Sequence, residues 1–376
     1  MKFQLRAAPC PLDCTCNISK CVKTNSFSAS LESLIMFWGG KILLVLGLTA
    51  ELLAQPLDIY FIDVEGGAAT LIVTPQGETI LVDTGWRRDD DRDAKRIHQI
   101  VSTRTGLKQI DHLVTTHFHR DHYGGVQSLA QMLPILNFFD HGPMSDVPED
   151  PQFASFYVAY MRANKGRRQK LNPGDQIPLK KSTVPLQIQC IASNRETLPG
   201  TNTAPNPECK NFAVREVDLT DNADSVALLL RFGQFEFLDC GDLTWNVEAR
   251  LACPTNVIGK VDLYQVTHHG LKSSNHPALV KDIEPTVAVI NNGPRKGGEP
   301  EVFSLLKSTP SIKDIFQVHR NLKTGPEDNA PADFIANLEG EDGCPGRWVH
   351  VSVSADASSF SVTNSRNNLT RTYAVK

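Results

Sequence analysis

The chain has 376 residues, with 38 Lys+Arg against 42 Asp+Glu, 41% hydrophobic and 21% charged residues, 25 Gly and 23 Pro. That balance excludes a disordered chain and a collagen-like fibre, and the length suffices for one large core or two average ones. A net charge of −4 supplies no global attraction for nucleic acid, so any such contact would need local basic groups.

Residues 1–54 read as a leader. Ile42 to Ala50 is an apolar run behind Lys41 and ahead of Glu51 and Ala54. It is too short for a bilayer, which takes about 20 residues, and has the shape of a secretory signal centre, with Ala54 at the cleavage point. Met36 stands just upstream, so residues 1–35 read as an over-extended start. The expected mature chain, 55–376, is a single exported domain, periplasmic or secreted, without a membrane span. It keeps 33 basic against 39 acidic groups. Cys10, Cys14, Cys16 and Cys21 fall in the leader, too crowded for the paired knuckles of a zinc ribbon. Cys190, Cys209, Cys240, Cys253 and Cys344 remain, odd in number. An exported chain could join one or two pairs, Cys209 with Cys344 for instance, and spacing does not choose among them.

Strands are expected at Leu57–Val64, Ala68–Thr74 and Thr79–Val82, the first two joined by Glu65-Gly66-Gly67 as a hairpin-type connection. Ala94, Ile97, Ile100 and Val101 give Asp91–Thr105 the spacing of an amphipathic helix. Further strands are expected at Ile110–Thr115, Ile135–Phe139, Leu186–Ala192, Ser225–Phe232, Glu236–Leu238, Val261–Thr267 and Thr286–Ile290. Helices are expected at Val126–Leu133, Phe153–Asn164, Thr244–Leu251 and Glu301–Lys307, and a long surface loop at Asn194–Asn211. Hairpins come early and alternating strands and helices late, which predicts an α/β (α+β) chain of two mixed sheets packed face to face with helices outside.

The densest chemical signal is Thr116-His117-Phe118-His119-Arg120-Asp121-His122-Tyr123-Gly124-Gly125. Three histidines and a carboxylate follow directly on a strand, and imidazole and carboxylate together suit zinc or manganese. Side-chain alternation sends His117 and His119 to one side, able to share one ion, and the following turn can bring Asp121 and His122 to a second.

This motif resembles the signature of the metallo-β-lactamase superfamily. Leu81-Val-Asp83-Thr-Gly85 before it, Phe237-Leu-Asp-Cys-Gly241-Asp242 after it, and Gln265-Val-Thr-His268-His269-Gly270 later still match that family's other motifs in order, from Leu57 to about Asn291. The stretch Phe61-Ile-Asp63-Val-Glu-Gly-Gly-Ala-Ala-Thr70, with Asp221-Asn222 and the His-His-Gly, is similar to the hydrolase domain of bacterial competence DNA-uptake proteins, and also to phosphorylcholine esterases of this fold. The resemblance implies a four-layer αββα sandwich and two divalent metal ions, zinc or manganese. The implied metal ligands are His117, His119, Asp121, His122, Asp242 and His269, with Asp242 as the bridge. Asp121 and Asp242 would hold the ions and orient a metal-bound hydroxide. Asp83 would fix a histidine's tautomer or the loop. Adjacent residues leaving a strand point to opposite sides, so His269 is taken as the ligand and His268 as an acid/base group near the substrate.

One departure from the family pattern stands out. The usual third histidine of the first metal is missing; Asp221, Asn222 and Asp224 occupy that region. His141 is out of order for the role and reads as structural or as a pocket edge. The implied activity is hydrolysis of a phosphodiester or phosphate ester, since Asn291-Asn-Gly-Pro-Arg295-Lys296 could face an anion as well as form a surface turn. A β-lactam, lactone or thioester substrate, or a metal-holding protein without turnover, are the alternatives. The di-iron electron-transfer branch uses Glu where this chain has His119. The expected partner is a small-molecule or phosphodiester substrate; charge gives nucleic acid no support, and the oligomeric state is open.

Overall fold

A computed structural model describes residues 34–38, 41–45, 55–88, 90–200, 205–211, 214–340 and 343–376. The proposed cleavage point, most of the apolar run and the four leader cysteines lie outside the described residues. In the N-terminal unit, Leu34–Trp38 (β1) and Lys41–Val45 (β2) pair as an antiparallel hairpin.

In the unit from Ala54 to Lys376, the chain first lays down β3 (Leu57–Phe61), β4 (Thr70–Val73), β5 (Thr79–Val82), β6 (Ile110–Val114), β7 (Ile135–Asp140) and β8 (Arg168–Lys170). It then builds a second sheet from β9 (Leu186–Ser193), β10 (Glu196–Thr197), β11 (Ala227–Phe232), β12 (Phe235–Asp239), β13 (Leu263–Gln265), β14 (Val287–Ile290), β15 (Asp314–His319) and β16 (Ile335–Asn337). Finally β17 (Val349–Val353), β18 (Ser359–Asn364) and β19 (Thr370–Ala374) return to the first sheet, β17 pairing antiparallel with β3. The sheet orders are β19-β18-β17-β3-β4-β5-β6-β7-β8 and β10-β9-β11-β12-β13-β14-β15-β16.

Alternation along each strand divides the apolar residues among three layers. Ile59 and Phe61 of β3 face inward and meet Phe237, Val289, Val351 and Phe360 between the sheets. The opposite face of the first sheet, with Tyr60, Leu71 and Leu81, is covered by Ile97 of α1 (Arg92–Gln99), Tyr123 of α2 (Arg120–Tyr123), Leu129 of α3 (Val126–Met132) and Tyr160 of α4 (Phe153–Asn164). Leu238 and Tyr264 on the outer face of the second sheet pack against Leu251 of α5 (Trp245–Ala252), Leu279 of α6 (Pro277–Asp282) and Leu306 of α7 (Pro300–Ser308). Each such side chain contributes roughly 1.5–3 kcal/mol on burial. The result is the helix–sheet–sheet–helix sandwich expected from the pattern.

Local differences have local causes. The helix expected over Asp91–Thr105 is α-helical only to Gln99, and Ile100–Arg104 widens into a π turn. There Ser102, Thr103 and Thr105 hydroxyls donate to the carbonyls four residues back, a bond that competes with regular helix geometry. The loop at Asn194–Asn211 carries the short strand β10 and a 3-10 turn at Pro207–Asn211. That turn brings Cys209 to Cys253, with which it forms a disulfide at a Cα separation of 5.8 Å. The pairing of Cys209 with Cys344 is therefore corrected: Cys344 is a free thiol beside Asp63 and His319.

One buried acid makes stability depend on pH. Glu248 in α5 is fully buried, and burial pushes its carboxyl up from 4.5 to about 7 despite the His276 N–H bond at 2.8 Å. The folded state then binds more protons than the unfolded state between those values. Its stabilising share is complete below the unfolded pKa, falls as pH rises through about 7, and is flat above. Glu248→Gln should therefore gain about 3 kcal/mol relative to the parent between pH 5 and 8. Urea unfolding of both proteins across that range checks it, and a pH-independent difference would contradict it.

Candidate metal centre

The parallel strands β5, β6, β12, β13 and β14 deliver their C-terminal ends to one edge of the sandwich, where α/β folds place their ligands. Asp83 follows β5, His117–His122 follow β6, Asp242 follows β12, His268–His269 follow β13 and Asn291 follows β14. The turns need glycine for two different reasons. Gly125 admits no side chain because its Cβ would collide with the Thr84 carbonyl. Gly297 has φ +81 and lies against the His269 carbonyl, so it combines left-handed backbone with close approach.

Four donors converge: oxygens of Asp121 and Asp242 and ring nitrogens of His122 and His269 lie within 4.8 Å of one another, all buried. His122 Nε2 is 3.2 Å from Asp242 Oδ2 and 3.4 Å from Asp121 Oδ2. His269 Nε2 is 3.4 Å from each carboxylate and has no hydrogen-bond partner. Charge-assisted hydrogen bonds run shorter, about 2.7–2.9 Å. Ligands about 2.0–2.2 Å from a common tetrahedral ion stand roughly 3.3–3.6 Å apart. The donor set and its spacing therefore fit a divalent ion.

Each ring is aimed from behind. Asp83 Oδ2 lies 2.6 Å from His122 Nδ1, which turns Nε2 toward the two carboxylates, and Asp83 Oδ1 accepts the Thr116 N–H at 2.8 Å. The Asn291 carbonyl faces His269 Nδ1 at 3.3 Å. Ser273 and Ser274 hydroxyls lie 3.1 Å from His268 Nδ1. The expectation that His268 and His269 point to opposite sides fails. Both have left-handed backbone, φ 54 and 55, which ends the strand alternation. Both Nε2 atoms then face Asp242 Oδ2, at 3.3 and 3.4 Å.

His117 and His119 form a second group. His117 Nε2 is 3.0 Å from His119 Nδ1 and 4.0 Å from Asp242 Oδ2, so Asp242 adjoins both groups. His119 is partly exposed and its Nε2 meets Glu149 at 2.9 Å. Asp221 accepts the Phe118 N–H at 2.6 Å and pairs with buried His141 at 3.3 Å. Those bonds hold the loop that carries His117 and His119. Glu149 also accepts the Asp221 N–H at 2.8 Å; a glutamate in a Pro-Glu-Asp-Pro loop gives no signal of its own in the sequence.

Charge follows the geometry. Burial works to raise both carboxyls, but Lys296 and His122 hold Asp121 well below the usual range, and His122, His268 and His269 do the same for Asp242. Burial pushes His117 well down, aided by His122 and His119, and takes His268 to about 4. Both rings are neutral at pH 7, the form that ligates metal or accepts a proton. Lys296, one-third exposed, places its Nζ against Asp121 Oδ2.

The sandwich is of the metallo-β-lactamase type, and residues 62–136 match the model of the Metallo-beta-lactamase superfamily. Among curated proteins it is similar to Recombination protein 2 of Haemophilus influenzae, at 25% identity over 234 residues, 62% of this chain and 24% of that one. It is also similar to ComE operon protein 3 of Bacillus subtilis, at 23% identity over 250 residues, 63% of this chain and 28% of the relative. The chain thus spans about a quarter of the length of these relatives. Among solved structures, Igni18, a metallo hydrolase from Ignicoccus hospitalis, is 15% identical, with a TM-score of 0.38 over 69% of this chain and 94% of that one.

Proposed function

We propose that the chain is an exported hydrolase of phosphodiesters or phosphate esters that works with two divalent ions, zinc or manganese. The observation that carries the substrate class is Lys296. Its ammonium reaches Asp121 at the rim of the donor cluster while staying one-third exposed, where it can meet an anionic ester oxygen. Trp86 stacks under it, with Nζ 5.7 Å from the ring. The name of one relative, a recombination protein, agrees with a phosphodiester of nucleic-acid type.

In this reading Asp121, His122, Asp242 and His269 hold one ion, and His117, His119 and the shared Asp242 hold the other. Bound divalent metal supplies Lewis acidity and a water that ionises near pH 7. Asp121 and Asp242 orient the donors around the reacting centre. His268, kept neutral by burial and braced by Ser273 and Ser274, is placed to take or return a proton. Lys296 neutralises the ester's charge.

The test is hydrolysis of bis-p-nitrophenyl phosphate by the full chain loaded with zinc or with manganese, beside Lys296→Met. Turnover with a KM at least about tenfold higher in the variant is expected, as for loss of one uniform charged contact. Metal-loaded protein that leaves the phosphodiester intact but opens a β-lactam or a lactone would overturn the phosphate reading.

A further inference from the structure

A second donor cluster, buried except for half-buried Cys344, lies apart from the residues used above. Asp63 and Glu65 sit just after β3, His319 ends β15 in the other sheet, and Cys344 precedes β17. One donor atom from each lies within 4.8 Å of the others. His319 Nε2 is 3.4 Å from Asp63 Oδ2, 3.3 Å from Glu65 Oε2 and 3.4 Å from Cys344 Sγ. Cys344 Sγ is 3.2 Å from Asp63 Oδ2. These separations are long for ion pairs and match the edges of a tetrahedron around zinc, as in the first cluster. Glu65 is 95% buried, and its Oε2 has no hydrogen-bond partner. Oε1 of the same carboxylate is instead held by Arg96, which also donates to Asp63 Oδ2 at 2.9 Å.

We propose that Asp63, Glu65, His319 and Cys344 form a closed structural site for a zinc-type divalent ion. The ligand set is mixed sulfur, nitrogen and oxygen, which suits zinc and cobalt and offers no open position for catalysis. Charge closes as well: two carboxylates and a thiolate balance the ion and Arg96, while Arg92 nearby is engaged by Asp93 at 2.6 Å. Binding displaces the Cys344 thiol proton to solvent and any proton on His319 Nε2. The ion ties the first sheet to the second through a turn that also backs the catalytic cluster. Ala68 N–H donates to the Asp121 carbonyl at 3.0 Å, and a Cβ on Gly67 would collide with that same carbonyl.

The first cluster contains no sulfur, so thiolate-to-cobalt absorption reports on the second. The full chain, with Cys10, Cys14, Cys16 and Cys21 replaced by Ser, is stripped of metal and titrated with Co(II). The expected result is a near-ultraviolet charge-transfer band that saturates at one sulfur-bound ion per chain, is bleached by zinc, and is lost in Cys344→Ser. Glu65→Gln should weaken cobalt binding at least about tenfold while leaving Cys344 in place. Circular dichroism and cooperative unfolding confirm that each variant is folded. A folded parent that shows no band, or a band that survives Cys344→Ser, would overturn the site and leave the cluster a charged His319–carboxylate pair.

Discussion

Asp242→Asn is expected to abolish turnover and to weaken divalent-metal binding by more than about 100-fold, beyond the roughly 10–100-fold cost of losing a residue that only orients a ligand. Asp242 Oδ2 lies 3.2–3.4 Å from His122, His268 and His269 and 4.0 Å from His117. Its carboxylate thus adjoins both histidine groups from the side of their Nε2 atoms. The amide is isosteric but uncharged, so the change removes the anion without opening a cavity. Its loss also removes an attraction that several buried rings share. Metal content after dialysis, together with turnover of bis-p-nitrophenyl phosphate, checks this. A variant that retains two ions would show that Asp242 only neutralises charge.

Asp83→Asn should lower metal affinity or kcat about 10–100-fold, although Asp83 lies behind His122 and does not itself join the donor cluster. Its two oxygens serve the Thr116 N–H at 2.8 Å, the Thr116 hydroxyl at 2.7 Å and His122 Nδ1 at 2.6 Å. Asparagine keeps one acceptor oxygen and turns an NH2 toward the other donors, so His122 loses the partner that presents Nε2 to the metal. The left-handed backbone at this residue, φ 63, is one that Asn tolerates well. An effect on function with little change in the unfolding midpoint therefore isolates the tautomer from the turn. Chelator competition gives the affinity; unchanged affinity and kcat would reduce Asp83 to a loop cap.

How far the sequence could be read varies along the chain. Most elements from Leu57 to Lys307 follow from alternation and helical spacing, because one-sided burial writes itself into the order of apolar residues; the short β8, β10 and α6 are not among those expected. The strands β15 to β19 went unread, though Val349-His-Val-Ser-Val353 alternates as cleanly as any. The pairing of β17 with β3 joins residues nearly 300 positions apart, and no local pattern encodes a partner. Of the site, the motif His117 to His122 with Asp242 and His269 was legible as a donor set because ligand chemistry is a property of residue type. Asp221 and His141 were legible only as a departure from the family pattern; their bond to each other and to the Phe118 N–H depends on how two loops meet.

The layered α/β architecture and the chemistry available at the strand ends follow from hydrophobic period and ligand type, which are local quantities. Tertiary structure decided which donors share one centre, that His268 and His269 both face Asp242, that Cys209 joins Cys253, and that Asp63, Glu65, His319 and Cys344 meet at all. Those outcomes depend on φ values at turns and on the packing of one sheet against the other. Both are fixed by contacts between residues far apart in the chain, which spacing alone does not record.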